Sequence, residues 1–163
     1  PHTPVVTKAI DALRQRSVEV RAEAILVPNL TGQHIIAEGA EHYAAMCTGC
    51  HLAPGLDKSE IRSGLYPQPP NLVLNPVDDP KQAFWIIKHG VKMSAMPAWG
   101  GSHSDADIWN IVAFLKQMPT MSVADYRALI TEPEQENKPQ PRAMPDDPDH
   151  HMHDGGQHHR RPL

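Results

Sequence analysis

Both cysteines of this 163-residue chain fall in one pentapeptide, Cys47-Thr48-Gly49-Cys50-His51. Two thiols on one short turn, followed at once by an imidazole, form the attachment pattern of a c-type haem. The spacing has a mechanical basis: the thiols can add across the two vinyl groups of the porphyrin, and the adjacent imidazole then lies under the iron. A redox dithiol, a structural disulfide and half of a zinc site are the competing readings. Zinc would require a second pair of ligands at defined spacing, and the chain has no further cysteine. A thioredoxin-like dithiol belongs in a strand-helix unit, whereas this pentapeptide closes a helical pattern.

The rest of the chain is read around that motif. His34 to Met46 form a helical segment in which Gly39, Tyr43 and Cys47 recur at spacings of four along one face. Gly39 costs helix propensity there, so it marks a close helix crossing. From His51 to Pro76 prolines and glycines punctuate a loop, with room for a short helical turn near Asp57 to Ser63. Asp79 and Pro80 open a helix that runs to His89 and stops at Gly90, with Phe84, Ile87 and Lys88 on one face. Ser104 caps a further helix whose stripe is Ile108, Ile111, Val112 and Leu115, flanked by Trp109 and Phe114. Ahead of all this, Thr7 to Val27 carry Ile10, Leu13, Val18, Val20, Ile25 and Leu26 as an amphipathic helix ended by Pro28. No segment alternates as a strand, so the expected fold class is all-α. The expected division is an N-terminal extension over 1–32, a haem domain over 33–131 and a tail over 132–163.

Residues 132–163 hold six prolines, seven acids, four bases, five histidines and no aromatic. Such a tail cannot bury enough apolar surface to offset its ordering entropy, which predicts disorder. Its interrupted cluster His150, His151, His153, His158 and His159, beside Asp147, Asp149 and Asp154, offers a site for copper, zinc or nickel. Residues 1–131 carry eleven bases against twelve acids. That balance argues against nucleic acid as a partner, since such binding needs a basic surface to displace counterions. No run of 18 uncharged apolar residues is present. The chain opens at Pro1 rather than methionine, which leads us to expect a signal peptide or membrane anchor upstream.

An iron held by His51 on one side needs a second axial ligand, and thioether sulfur favours Fe(II) and raises the potential. The loop Gly90 to Gly100 offers Met93 and Met96 in a proline-braced segment, Met96 being about 45 residues beyond His51. Pro97 holds Met96 extended, which selects Met96, with Met93 packing nearby. His89 and His103 are the competing ligands. Leu65, Leu72, Phe84, Trp85, Ile86 and Trp99 are the expected apolar wall, and Lys58, Arg62, Lys81, Lys88 and Lys92 the expected steering charges for an acidic partner.

Taken together, Gly39, Tyr43, the pentapeptide, Pro70-Asn71-Leu72, Met96-Pro97-Ala98-Trp99 and Ile111 to Leu115 follow one another as in a known family. From Glu38 to Met118 the chain resembles the class I monohaem cytochromes c. It is most similar to small bacterial cytochromes related to the dihaem subunit of high-affinity haem-copper oxidases. The resemblance implies one haem c on Cys47 and Cys50, lined by Leu72 and Trp99, with His51 and Met96 as axial ligands. It implies that the Pro70 carbonyl accepts from His51, and that Gly39 and Tyr43 cross Ile111 and Phe114. It further implies an electron carrier rather than an enzyme, exported to the periplasm, often tethered to the inner membrane, and serving redox protein partners. A peroxidase-like haem enzyme and a copper-handling module that uses the histidine tail are the alternative readings.

Overall fold

The computed structural model describes residues 3–131, all within the unit Pro1–Glu132. The expected tail, with its histidine cluster, lies outside the described residues. The described chain is helical: α1 (Pro4–Ala22), α2 (Gln33–Met46), α3 (Thr48–His51), α4 (Glu60–Gly64), α5 (Pro80–His89), α6 (Asp105–Gln117), a single 3-10 turn (Met118–Thr120) and α7 (Val123–Thr131). Among the described residues no strand forms, only an isolated bridge between Ala53 and Leu56. No helix among them is long and apolar enough to cross a membrane.

The centre of the fold is the crossing of α2 and α6, its most extensive helix-helix interface. Ile108, Ile111, Val112, Phe114 and Leu115 are buried on α6, and Ala40 and Tyr43 on α2. Phe114, expected at the edge of the stripe, is wholly enclosed. Gly39 permits the approach: a Cβ there would sit 1.9 Å from the backbone oxygen of Asn110. The Asn110 side chain turns back and donates to Glu38 Oε2 at 2.7 Å, which ties the same two helices from the polar side.

α6 begins with a reciprocal cap. Ser104 Oγ accepts from the Asp107 amide at 3.2 Å, while Asp107 Oδ2 accepts from the Ser104 amide at 2.8 Å. The bonds from Ser104 are the main cause that holds the Asp107 carboxyl below its ordinary range. A carboxylate whose pKa is lowered by folding adds stability above its unfolded pKa and loses it as pH falls through the lower folded value. Ser104→Ala should therefore cost about 1 kcal/mol at neutral pH. The gap between variant and wild-type melting temperatures should narrow once the pH drops below about 4. Thermal melts at pH 7 and pH 3 test this, and an equal gap at both would refute the coupling.

Two elements differ from expectation. α1 stops at Ala22, five residues before Val27, and Lys81 Nζ of α5 donates to the Glu23 carbonyl at 3.1 Å, which satisfies an acceptor left open at the helix end. Its docking residues are Val18 and Ala22, whereas Leu13, Val20 and Leu26 stay exposed. Beyond Met118, α7 adds a layer not foreseen. Ser122 Oγ accepts from the Asp125 amide at 3.1 Å to start it, and Tyr126 is buried with its ring 5.9 Å from that of Phe114.

Candidate haem-attachment site

The pentapeptide is held in shape from the core outwards. α2 delivers Cys47 at its end, and α3 is the single turn that carries Cys50 and His51. Leu52, the next residue, takes φ +64°, a left-handed conformation that a leucine adopts only under constraint. Buried Tyr43 supplies the constraint by donating from its hydroxyl to the Leu52 carbonyl at 2.6 Å. Burial pushes the Tyr43 ionisation upward, so the hydroxyl keeps its proton and remains a donor. On the other side, Ser59 Oγ donates to the Gly49 carbonyl at 2.5 Å and so clamps the start of α4 to the motif.

Cys47 and Cys50 are half-buried and not bonded to each other. Burial, then the neighbouring Cys50, pushes the Cys47 thiol up to about 12. A catalytic dithiol needs the opposite, a depressed thiol that ionises near neutral pH. The environment therefore disfavours the redox-dithiol reading.

His51 Nδ1 lies 3.0 Å from the Pro70 carbonyl. A carbonyl can only accept, so Nδ1 carries the proton and Nε2 keeps its lone pair. Burial is the main cause that lowers the His51 proton affinity, and the positive Arg62 adds to it against the opposing Pro70 bond. The imidazole is thus neutral at pH 7, in the state a metal requires. Leu72 returns to the same place, its amide donating to the His51 carbonyl at 3.2 Å.

The second ligand loop is a ring clipped to the end of α5. Trp99 and Gly100 donate to the Ile87 and Lys88 carbonyls, each at 3.0 Å, and Val91 donates to Met96 O at 3.1 Å. Gly90, at φ +68°, makes the ring possible, because a Cβ there would lie 2.8 Å from both Met96 O and the Ala98 nitrogen. Ser94 braces it from inside, accepting from the Met96 amide at 3.2 Å and donating to Val91 O at 2.8 Å. The ring sorts the two methionines. Met96 is half-buried against the core, while Met93, at φ +60°, is 87% exposed and does not pack nearby as expected.

The structure thus gathers Cys47, Cys50, His51, Pro70 and Leu72 at one turn, and Met96 and Trp99 in one loop. Cys47, Leu72, Met96 and Trp99 all pack on the same core cluster. Of the expected wall, Leu65 and Ile86 are half-buried. Phe84 belongs to that core cluster and stacks on Trp109 at 4.2 Å, and with Trp85 it lines a groove beside α1 that also holds Arg21 and Ile25. His89 belongs to that groove, 4.8 Å from the Trp85 ring. His103 sits edge-on to Trp99 and His42. The five cations do not act as one set either, because Lys81 serves the Glu23 carbonyl and Lys88 pairs with Asp105 at 2.6 Å. The Tyr43 and Ser59 clamps were not foreseen. A hydroxyl four residues before the first cysteine and another after the motif were the only signals in the sequence.

Free thiols one turn apart, a neutral imidazole with its lone pair available and a thioether in a braced loop fit an iron porphyrin with vinyl substituents. The family model of cytochrome c oxidase, cbb3-type, subunit III matches residues 34–115, half of the chain. The chain belongs to this family. No curated protein and no solved structure matches it. As a member of the cbb3-type subunit III family it is a cytochrome c domain, a kind of domain that implies haem c and haem-based electron transfer, generally with redox protein partners. The match begins with α2 and ends within α6, so α1 and α7 lie outside the part this family shares.

Proposed function

We propose that the chain is a one-electron carrier of an exported compartment, the periplasm or its equivalent, with one haem c attached through Cys47 and Cys50 and ligated by His51 and Met96. The observation that carries the reading is the Pro70 bond to His51, which leaves Nε2 as the free donor beside two unpaired thiols. When bound, the haem supplies an iron that alternates between Fe(II) and Fe(III). His51 holds its ring fixed through Pro70, a bond that also raises ligand basicity. Met96 is supported in the same way by the Gly90 to Gly100 ring. Leu72 and Trp99, half-buried against the core, would limit water around a bound haem and so favour the less charged ferrous state. Were His51 and Met96 both to hold the iron, they would leave it no open position for a small-molecule substrate, which favours a carrier over an enzyme.

Covalent attachment through two cysteines is a maturation step of exported proteins, which supports the compartment, and an anchor upstream of Pro1 would hold the carrier at a membrane. Encounters with donor and acceptor would be small and transient. The histidine cluster of residues 150–159 remains a candidate for copper, zinc or nickel on its composition alone.

Production in a host competent for cytochrome c maturation tests the core of the reading. The mass under denaturing conditions should equal polypeptide plus one haem, and the bare polypeptide mass would overturn it. Met96→Ala should abolish the far-red sulfur-to-iron charge-transfer band of the ferric protein and lower its midpoint potential, whereas Met93→Ala should change neither. The reverse pattern would reassign the ligand.

A further inference from the structure

We propose that Arg62 is the counter-ion of a carboxylate carried by the bound haem, one of its propionate side chains, and that it keeps this carboxylate ionised. The proposal rests on the haem reading above. Its ground is an orphaned donor: Arg62 Nε is buried, and no acceptor is within hydrogen-bond reach of it among the described residues. Nor does Arg62 take part in any ion pair among them. A guanidinium with a buried, unanswered N–H is far less favourable than a neutral group in that position, and what answers it best is a planar carboxylate.

Its position directs it to the haem. α4 is fastened to the motif at Gly49 by the Ser59 hydroxyl, and Ile61 packs there too, its Cδ1 3.6 Å from where a Gly49 Cβ would stand. Ser63 Oγ closes the turn by donating to Ser59 O at 2.9 Å. Arg62 belongs to this short helix, which packs against α3 and its Gly49-Cys50-His51 turn. Its charge is felt at the His51 imidazole, which accords with that placement. Asp57 and Glu60, the acids nearest in sequence, are exposed and form no ion pair with it. A group anchored at Cys47 and Cys50 brings the missing carboxylates with it.

A paired propionate stays ionised across the neutral range, so reduction of the iron draws no proton to it. The midpoint potential of the wild-type holoprotein should accordingly be level from pH 5 to pH 8. In Arg62→Gln the propionate loses its partner and titrates inside that window. The potential should then fall below wild type at the alkaline end and climb towards it as the pH drops, while Arg62→Lys restores a level profile. A uniform offset at every pH would mean that Arg62 acts only as a distant charge, and an unchanged profile that it faces no propionate. Either result overturns the proposal. Should Arg62→Gln not accumulate, carbon-13 NMR of the wild-type protein with haem labelled at the propionate carboxyls decides the matter. One carboxyl must titrate below the ordinary carboxylate range, and normal titration of both would overturn the assignment. A wild-type protein without covalent haem would instead overturn the reading on which it rests.

Discussion

Gly39→Ala is expected to destabilise the protein by more than about 3 kcal/mol, although helix propensity alone would make the same change a gain of about 1 kcal/mol. The two effects have opposite signs, so one measurement decides between them. The added methyl carbon would lie 1.9 Å from Asn110 O and 2.4 Å from its carbonyl carbon. Both are backbone atoms of α6, which cannot turn aside as a side chain could. Relief requires α2 and α6 to separate, and that opens the layer where Tyr43 meets Phe114 at a ring distance of 5.3 Å. A loss of this size removes a large part of the 5–15 kcal/mol typical of a domain. Denaturant unfolding followed by circular dichroism gives the value, and a variant as stable as wild type would show that the crossing is not close-packed.

The double variant Cys47→Ala/Cys50→Ala is expected to lose covalent haem entirely. After denaturation and acid-acetone extraction its polypeptide should be colourless, while wild type keeps its colour. Each single variant retains one thiol and should hold haem by one bond, with a shifted absorption maximum. The elevated Cys47 thiol sharpens the contrast with a dithiol oxidoreductase, for which the double variant would abolish turnover of a disulfide substrate without touching any colour. Colour that survives denaturation in the double variant would refute attachment at these sulfurs.

The sequence made much of this legible where a local rule and the tertiary structure agree. Pro80 and Gly90 bound α5, and Ser104 opens α6, because proline at a first turn, a left-handed stop and a hydroxyl cap act within a few residues of themselves. Gly39 announced the crossing because a helix-weakening residue amid good helix formers needs a reason. The pentapeptide was legible because its chemistry is a matter of spacing. What escaped depends on contacts distant in sequence. α1 ends earlier than its pattern suggests, and its apolar residues outnumber those the domain covers, so Val18 docks while Leu13 and Val20 stay exposed. Phe84 and Trp85 face α1 and Trp109 because the helix turns them that way, whatever their proximity in sequence to the ligand loop. α7 carried its own signal in Ser122 and Asp125, a hydroxyl and a carboxylate three apart, which a reading confined to the shared family core passes over.

Tyr43 joins two things usually considered apart. Its ring belongs to the packed interior against Phe114, and its hydroxyl fixes the carbonyl immediately after His51. Tyr43 thus gives any loosening between α2 and α6 a direct path to the turn that carries the imidazole. In a pigmented protein the visible spectrum would then double as a gauge of interior tightness, and variants far from the pigment could be ranked by hue alone.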